Sequence, residues 1–72
     1  MNKEQVLQNF GLTEAEVGMY ITLISVGEAT ASELAEKTNT NRTFTYDRLK
    51  KLLASGLVAY VIKDSRKYFK AY

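Results

Sequence analysis

Cysteine and histidine are both missing from this 72-residue chain. Their absence excludes disulfides, thiolate metal ligands and imidazole metal ligands. No apolar run approaches the ~20 residues that a bilayer-spanning helix needs, and residues 1–10 lack the apolar region of a signal peptide. We therefore expect a single soluble, cytoplasmic domain over residues 1–72, with no cofactor, no metal and no membrane partner, and with a core that depends on packing alone.

The sequence also offers little of the machinery of an enzyme. It contains no glycine-rich phosphate loop and no pair of carboxylates in an apolar setting. We therefore expect no catalytic residues. An apolar content of 46% with 25% charged residues is typical of a small folded domain rather than of a disordered chain.

The charged residues are distributed unevenly along the chain. Residues 1–36 hold one base and six acids, a net charge of −5, whereas residues 37–72 hold nine bases and two acids, a net charge of +7. A basic half of this size favours a polyanionic partner such as nucleic acid. A chance segregation of charges that simply stay solvated is the alternative.

Apolar periodicity and capping residues predict three to four helices followed by a β-hairpin, a mainly helical α+β fold. The predicted elements are helices over residues 2–10, 13–26, 31–38 and 42–55 and a hairpin over residues 57–72. Two Thr-x-x-Glu runs, beginning at Thr13 and at Thr30, match the capping box that satisfies backbone donors at a helix start. Gly18 lies inside the second helix, where we expect it to mark the close approach of another helix.

The hairpin is predicted from β-forming residues on both sides of a polar turn. If Asp64 and Ser65 are the loop residues, then Tyr60 lies opposite Phe69 and the two rings stack on one face. Residues 28–30 are expected to form a stub of extended chain. Because a lone hairpin is marginally stable in water, we expect this one to pack on the helices.

The helices over residues 31–38 and 42–55 are joined by a short polar turn, residues 39–41. At 100° per residue, the buried stripe of the second helix is formed by Thr45, Leu49, Leu52 and Leu53. Its opposite face is basic and rich in hydroxyl groups. A short helix, a turn and a longer basic helix are the pattern of a helix-turn-helix, so we expect the second helix to enter the major groove of DNA.

This geometry selects the candidate DNA-binding residues. Arg42 is best placed to read a base, because arginine pairs bidentately with guanine, and the helix N-terminus, with Asn41 or Thr40 as its cap, favours a nearby phosphate. Basic residues further along the helix and at the hairpin tip are expected to reach the DNA backbone or the minor groove. The predicted set is Asn41, Arg42, Thr43, Phe44, Tyr46, Asp47, Lys50 and Lys51 on the helix, with Lys63, Arg66 and Lys67 on the hairpin.

Two members of this set have alternative roles. Asp47 repels phosphate, so it either accepts a hydrogen bond from a cytosine amine or pairs with Lys50 or Lys51 at helical spacing, and we prefer the pairing. Phe44 either contacts a thymine methyl group or tucks against the preceding helix.

The run LTEAEVGMYITLISVGEATASELAEKTNTNRTFTYDRLKKLLASGLV resembles the winged helix-turn-helix domain of TrmB-like archaeal and bacterial transcription regulators. The resemblance covers roughly residues 10–72, and the spacing of Tyr46-Asp47 and Gly56-Leu57-Val58 makes it specific. It implies a regulator that binds double-stranded DNA. Domains of this kind usually bind paired half-sites, so a homodimer is a further expectation.

The chain departs from the family pattern around the turn. Thr40-Asn41 stands where the family often has valine-proline, and Phe44 where a polar residue is common. Arg48 stands where an aliphatic residue is usual. We therefore expect a looser, more polar turn and an Arg48 side chain that reaches out of its boundary position.

The resemblance also bounds what the chain contains. Full-length relatives carry a C-terminal sugar-sensing domain without a counterpart here, so we expect a DNA-binding fragment or a small stand-alone protein with no identifiable small-molecule effector site. Val6, Leu7 and Phe10 supply a dimer interface or complete the core. The alternative function is a winged-helix protein–protein interaction module that does not read DNA.

Overall fold

Three helices and an antiparallel β-hairpin follow one another in residues 11–72, the part of the chain that this computed structural model describes. In chain order they are α1 (Glu14–Val26), α2 (Ala31–Lys37), α3 (Arg42–Ala54), β1 (Val58–Lys63) and β2 (Arg66–Ala71). The helix predicted over residues 2–10 lies outside the described residues. The predicted class, a mainly helical α+β fold that ends in a hairpin, is confirmed.

Side-chain caps begin all three helices of the described chain. Thr13 Oγ1 accepts from the Glu16 amide at 3.2 Å, while the Glu16 carboxylate accepts from the Thr13 amide at 2.9 Å. Thr30 and Glu33 repeat this reciprocal arrangement at the start of α2 with the same distances. The side chain of Asn41 caps α3. Because the first backbone donors of a helix have no partner within it, these caps fix where each helix begins.

The core lies where the three helices meet the hairpin. Its fully buried apolar side chains are Met19, Leu23, Leu34, Leu49 and Leu52. Thr45, in the predicted buried stripe of α3, is also fully buried, and its hydroxyl donates to the Asn41 carbonyl at 2.9 Å. A buried hydroxyl with a partner avoids the cost of an unsatisfied polar group. The stripe therefore orients α3 so that its opposite side faces outward.

The hairpin turn has the predicted loop residues. Asp64 and Ser65 both have positive φ, at 51° and 64°, as a two-residue hairpin turn requires. Tyr60 pairs with Phe69 in the register, and their ring centroids are 5.8 Å apart. The predicted register is therefore confirmed without a glycine in the turn.

A backbone pairing joins the hairpin to the segment before α2. Ala29 donates to the Phe69 carbonyl at 3.0 Å and accepts from the Phe69 amide at 2.7 Å. The expected stub of extended chain is therefore an isolated antiparallel bridge along the outer edge of β2. The C-terminal residue is held as well, because the Tyr72 amide donates to the Leu57 carbonyl at 3.0 Å.

The prediction that Gly18 marks the close approach of another helix is wrong within the described part of the chain. Within residues 11–72, nothing lies within 4 Å of a Cβ built on this glycine, which is exposed on α1. The residue lies on the side of the helix that faces away from the core, so a glycine there does not report packing.

Replacing Gly18 with alanine is expected to raise the free energy of unfolding by about 0.5–1 kcal/mol, the cost of glycine inside a helix. Gly27→Ala is the matched control, and it should be destabilising because Gly27 has φ 86°. Urea unfolding followed by circular dichroism measures both changes. A loss of stability in the Gly18 variant as large as in the control would contradict the open environment.

Candidate nucleic-acid interface

The outward side of α3 carries most of the predicted contact residues. Thr43, Asp47 and Lys50 are exposed opposite the buried stripe, and Lys51 is exposed beside them. At 100° per residue, Tyr46 borders this surface on one side and Phe44 borders it on the other. The helix therefore presents a strip of polar and basic side chains with an aromatic ring at each margin.

An open cleft of about 580 Å³ separates the start of α3 from the turn of the hairpin. Its lining residues are Thr30, Ala31, Ser32, Arg42, Tyr46, Ser65, Arg66 and Lys67. Four of the predicted site residues thus meet around one cavity, although they belong to two distant parts of the sequence. Three of these are cations, and no acidic residue is among the described lining residues. The cleft is consequently a site of positive potential that suits an anion.

Aromatic rings accompany the cations near this cleft. The Arg42 guanidinium carbon lies 6.0 Å from the centroid of the Tyr46 ring, and Lys67 Nζ lies 4.7 Å from the centroid of Tyr60. A cation over an aromatic face is attracted to it and loses some rotamer freedom. The two basic side chains are therefore partly oriented before any ligand arrives.

The start of α2 contributes to the cleft in a way that the sequence analysis missed. The sequence indicates only a helix cap at Thr30 and gives no signal for Ser32. The Ala29–Phe69 bridge brings this segment beside the hairpin. No local pattern in the sequence predicts that bridge. Only the stub of extended chain before α2 hinted at it.

Lys63 has a different environment from the other basic residues of the hairpin. Its Nζ lies 3.0 Å from Glu28 Oε1 and 5.5 Å from the centroid of the Tyr68 ring, outside the lining of the cleft. Its charge is therefore already compensated, whereas Arg66 and Lys67 line the cleft.

The preferred pairing of Asp47 with Lys50 or Lys51 is wrong. Among residues 11–72, the ion pair within 4.0 Å is the one between Lys63 and Glu28, so Asp47 has no such partner. An exposed ion pair gains little Coulomb energy and costs side-chain entropy, which explains why helical spacing alone does not create one. With no basic partner in the described part of the chain, the Asp47 carboxylate can accept a hydrogen bond from a ligand.

Phe44 has 54% of its surface exposed, so its ring is only partly packed against the rest of the domain. Arg48 is half-buried and reaches outward as expected, with its Nη1 donating to Thr40 Oγ1 at 3.0 Å. Its guanidinium carbon lies 6.0 Å from the centroid of the Phe44 ring. Arg48 therefore contacts both Thr40 and Phe44, two other positions at which the chain departs from the family pattern.

Two further classes of site are not found in the described chain. No helix of residues 11–72 is long and apolar enough to cross a membrane. No three acidic, histidine or cysteine side chains of that stretch are grouped as a metal site would require.

The caps, the polar turn, the outward α3 and the hairpin beside it define a winged helix-turn-helix domain. The chain belongs to the family described as the sugar-specific transcriptional regulator TrmB, whose family model matches residues 7–72. The predicted resemblance is thereby confirmed.

Three similar proteins illustrate the relationship. The HTH-type sugar sensing transcriptional regulator TrmBL1 of Pyrococcus furiosus is 36% identical over 64 residues, which cover 89% of this chain and 19% of that protein. The ST1889 protein of Sulfolobus tokodaii has a TM-score of 0.84 at 24% identity, covering 97% of this chain and 71% of that one. MepR in the S. aureus MepR–DNA complex has a TM-score of 0.81 at 19% identity, covering 94% and 59%. The chain thus spans about a fifth of the length of the curated relative.

The carboxyl of Glu33 next to the cleft has a pKa below its ordinary value. The main cause is the Thr30 backbone N–H, which donates to the carboxylate, and the Thr30 hydroxyl and the charges of Lys37 and Arg66 act in the same direction. Because the folded pKa is depressed, the resulting stabilisation is present above the unfolded pKa and is lost as pH falls through the folded pKa.

We expect an NMR titration of the Glu33 side chain to give a midpoint below that of an unfolded peptide. Thr30→Ala should move the midpoint upward, because it removes the hydroxyl and weakens the cap. Thr43→Ala, a threonine exposed on α3, is the control and should leave the midpoint in place. An unchanged midpoint in the Thr30 variant would contradict the contribution of the hydroxyl, because the backbone N–H of residue 30, the main cause, is present in both proteins.

Proposed function

We propose that this chain is a double-stranded DNA-binding domain of a transcriptional regulator, and that residues 1–72 form one winged helix-turn-helix unit. In this proposal α3 enters the major groove, while the hairpin contacts flanking backbone or the minor groove. The observation that carries the proposal is the cationic cleft, in which Arg42 of α3 faces Arg66 and Lys67 of the hairpin. Family membership supports the same conclusion.

In this proposal, the basic residues of the cleft and of α3 contact the phosphates of the DNA backbone. Two strands of DNA present phosphates on both sides of the major groove, so a helix in the groove needs cations beside it. Arg66 and Lys67 meet this need at the hairpin, and Lys50 and Lys51 meet it further along α3. Asn41 caps the positive end of α3, where a phosphate is favoured.

Base reading is assigned to the outward side of α3. Arg42 lies at the first helical position, and its guanidinium can pair bidentately with guanine. Thr43 and Tyr46 supply hydroxyl groups for bases or phosphates. Asp47 is without an ion-pair partner in the described chain, which favours the role of acceptor from a cytosine amine.

The proposal also concerns two further partners, a second copy of the chain and a sugar. A homodimer would place two α3 helices on half-sites about one DNA turn, ~34 Å, apart. We assign the sugar sensing that the name of the Pyrococcus furiosus relative states to no residue of this chain, because the aligned segment is 19% of that relative.

Arg42→Ala is expected to cost about 1–3 kcal/mol of binding free energy and to relax the preference at one base pair. Arg66→Ala should weaken binding to all sequences similarly and reduce the slope of log K against log salt by about 1. Fluorescence anisotropy with a selected duplex and a scrambled duplex over a salt series measures both effects.

Lys63→Ala is the matched control for the hairpin. Its effect should be smaller than that of Arg66→Ala, because Lys63 must leave Glu28 before it can meet a phosphate. Undetectable binding of the unaltered chain to any duplex at low salt would refute the proposed function. If the chain then binds a partner protein and Arg42→Ala leaves that binding unchanged, the alternative of a protein–protein interaction module is favoured.

A further inference from the structure

Phe44 is the most exposed of the large apolar side chains on α3, with 54% of its surface accessible. It lies in the first turn of the helix, where side chains of a helix in the major groove reach base edges. At 100° per residue it lies about 160° around the helix from Arg42. Phe44 therefore borders the outward strip of α3 on the side away from Arg42 and Tyr46, which both line the cleft.

The guanidinium of Arg48 is held at two points behind this ring. Its Nη1 donates to Thr40 Oγ1 at 3.0 Å, and its central carbon lies 6.0 Å from the ring centroid. The Thr40 hydroxyl in turn donates to the Thr38 carbonyl at 3.1 Å. A hydroxyl oxygen carries two acceptor lone pairs besides its proton, so Thr40 accepts from Arg48 while it donates to Thr38. The end of α2, the turn and the ring are thus connected.

This connection limits where the ring can point. A planar, weakly hydrated guanidinium stacks on aromatic faces, which lowers the rotamer freedom of both side chains. One side of the ring is backed by Arg48, and the exposed part is directed away from the core. A side chain that is already ordered loses less entropy when it makes a contact.

The chemistry of the ring determines what it can recognise. Phenylalanine has no hydrogen-bonding group, so it cannot read the donors and acceptors of a base edge. The thymine methyl group is the apolar feature that the major groove presents, and phenylalanine is among the residues that contact it.

We propose that Arg48 is a positioning residue that presents Phe44 to the major groove, and that Phe44 recognises the methyl group of a thymine. This inference rests on the proposed function and adds the chemical group that one margin of α3 reads. Arg48 itself acts through the ring and through Thr40, without a base contact of its own.

The test uses a duplex selected from a random pool by the unaltered chain. Each thymine of that duplex is replaced in turn by deoxyuridine, which removes only the methyl group. The unaltered chain should lose roughly fourfold in affinity at one position of a half-site, the equivalent of about one buried methyl group. Phe44→Ala should bind thymine and uracil equally at that position.

Variants of Arg48 test the positioning role separately. Arg48→Leu removes the guanidinium, and Arg48→Lys keeps the charge but loses the planar fork that serves both Thr40 and the ring. Both should reduce the thymine-to-uracil ratio toward one, with the helical circular dichroism unchanged. Lys70→Leu is the control, since it removes an exposed positive charge from the strand face opposite to Phe69 and should preserve the ratio.

The outcomes separate the two levels of the argument. If the unaltered chain binds no duplex, the proposed function itself fails. If it binds DNA but no thymine shows methyl discrimination, or if discrimination persists in Phe44→Ala, the inference about the ring is overturned while DNA binding stands. A full ratio in both Arg48 variants would overturn the positioning role.

Discussion

The backbone pairing between Ala29 and Phe69 is the contact on which the candidate site depends. Two hydrogen bonds of 3.0 and 2.7 Å attach β2 to the residue that precedes the cap of α2. Phe69 is almost completely buried, so its side chain anchors the same point in the core. Backbone bonds shielded from water are costly to break without replacement. The hairpin is therefore fixed beside the helix-turn-helix, and Arg66 and Lys67 border the same cleft as Arg42.

The candidate site also depends on the orientation of α3. This helix must pack one side into the core and present the other side to solvent. Its inner side is packed through Leu49 and Leu52 and through the satisfied hydroxyl of Thr45. Its outer side is left to polar and basic groups, and the contacts of Arg48 hold the turn to the helix from the side away from the hairpin. A small chain without crosslinks thus presents a surface whose parts are ordered before binding, which lowers the entropic cost of recognition.

Features that depend on residues close in sequence could be predicted, whereas features that depend on contacts between distant segments could not. The caps at Thr13 and Thr30 and the register set by Asp64 and Ser65 were predictable, because each depends on residues close in sequence. The cleft was predicted only through its members, since the bridge that assembles it joins segments far apart in sequence. The pairing of Asp47 failed because spacing on a helix permits an exposed ion pair without stabilising it.

The most direct test of the account is a map of backbone amide shifts during titration with a selected duplex. If the cleft and the outer side of α3 form one DNA interface, the amides of Ser32, Arg42 and Arg66 should shift together, with the same saturation curve. The amides around Glu28 and Lys70 should respond much less. Shifts confined to one side of the cleft, with either Arg42 or Arg66 unaffected at saturation, would contradict the central claim.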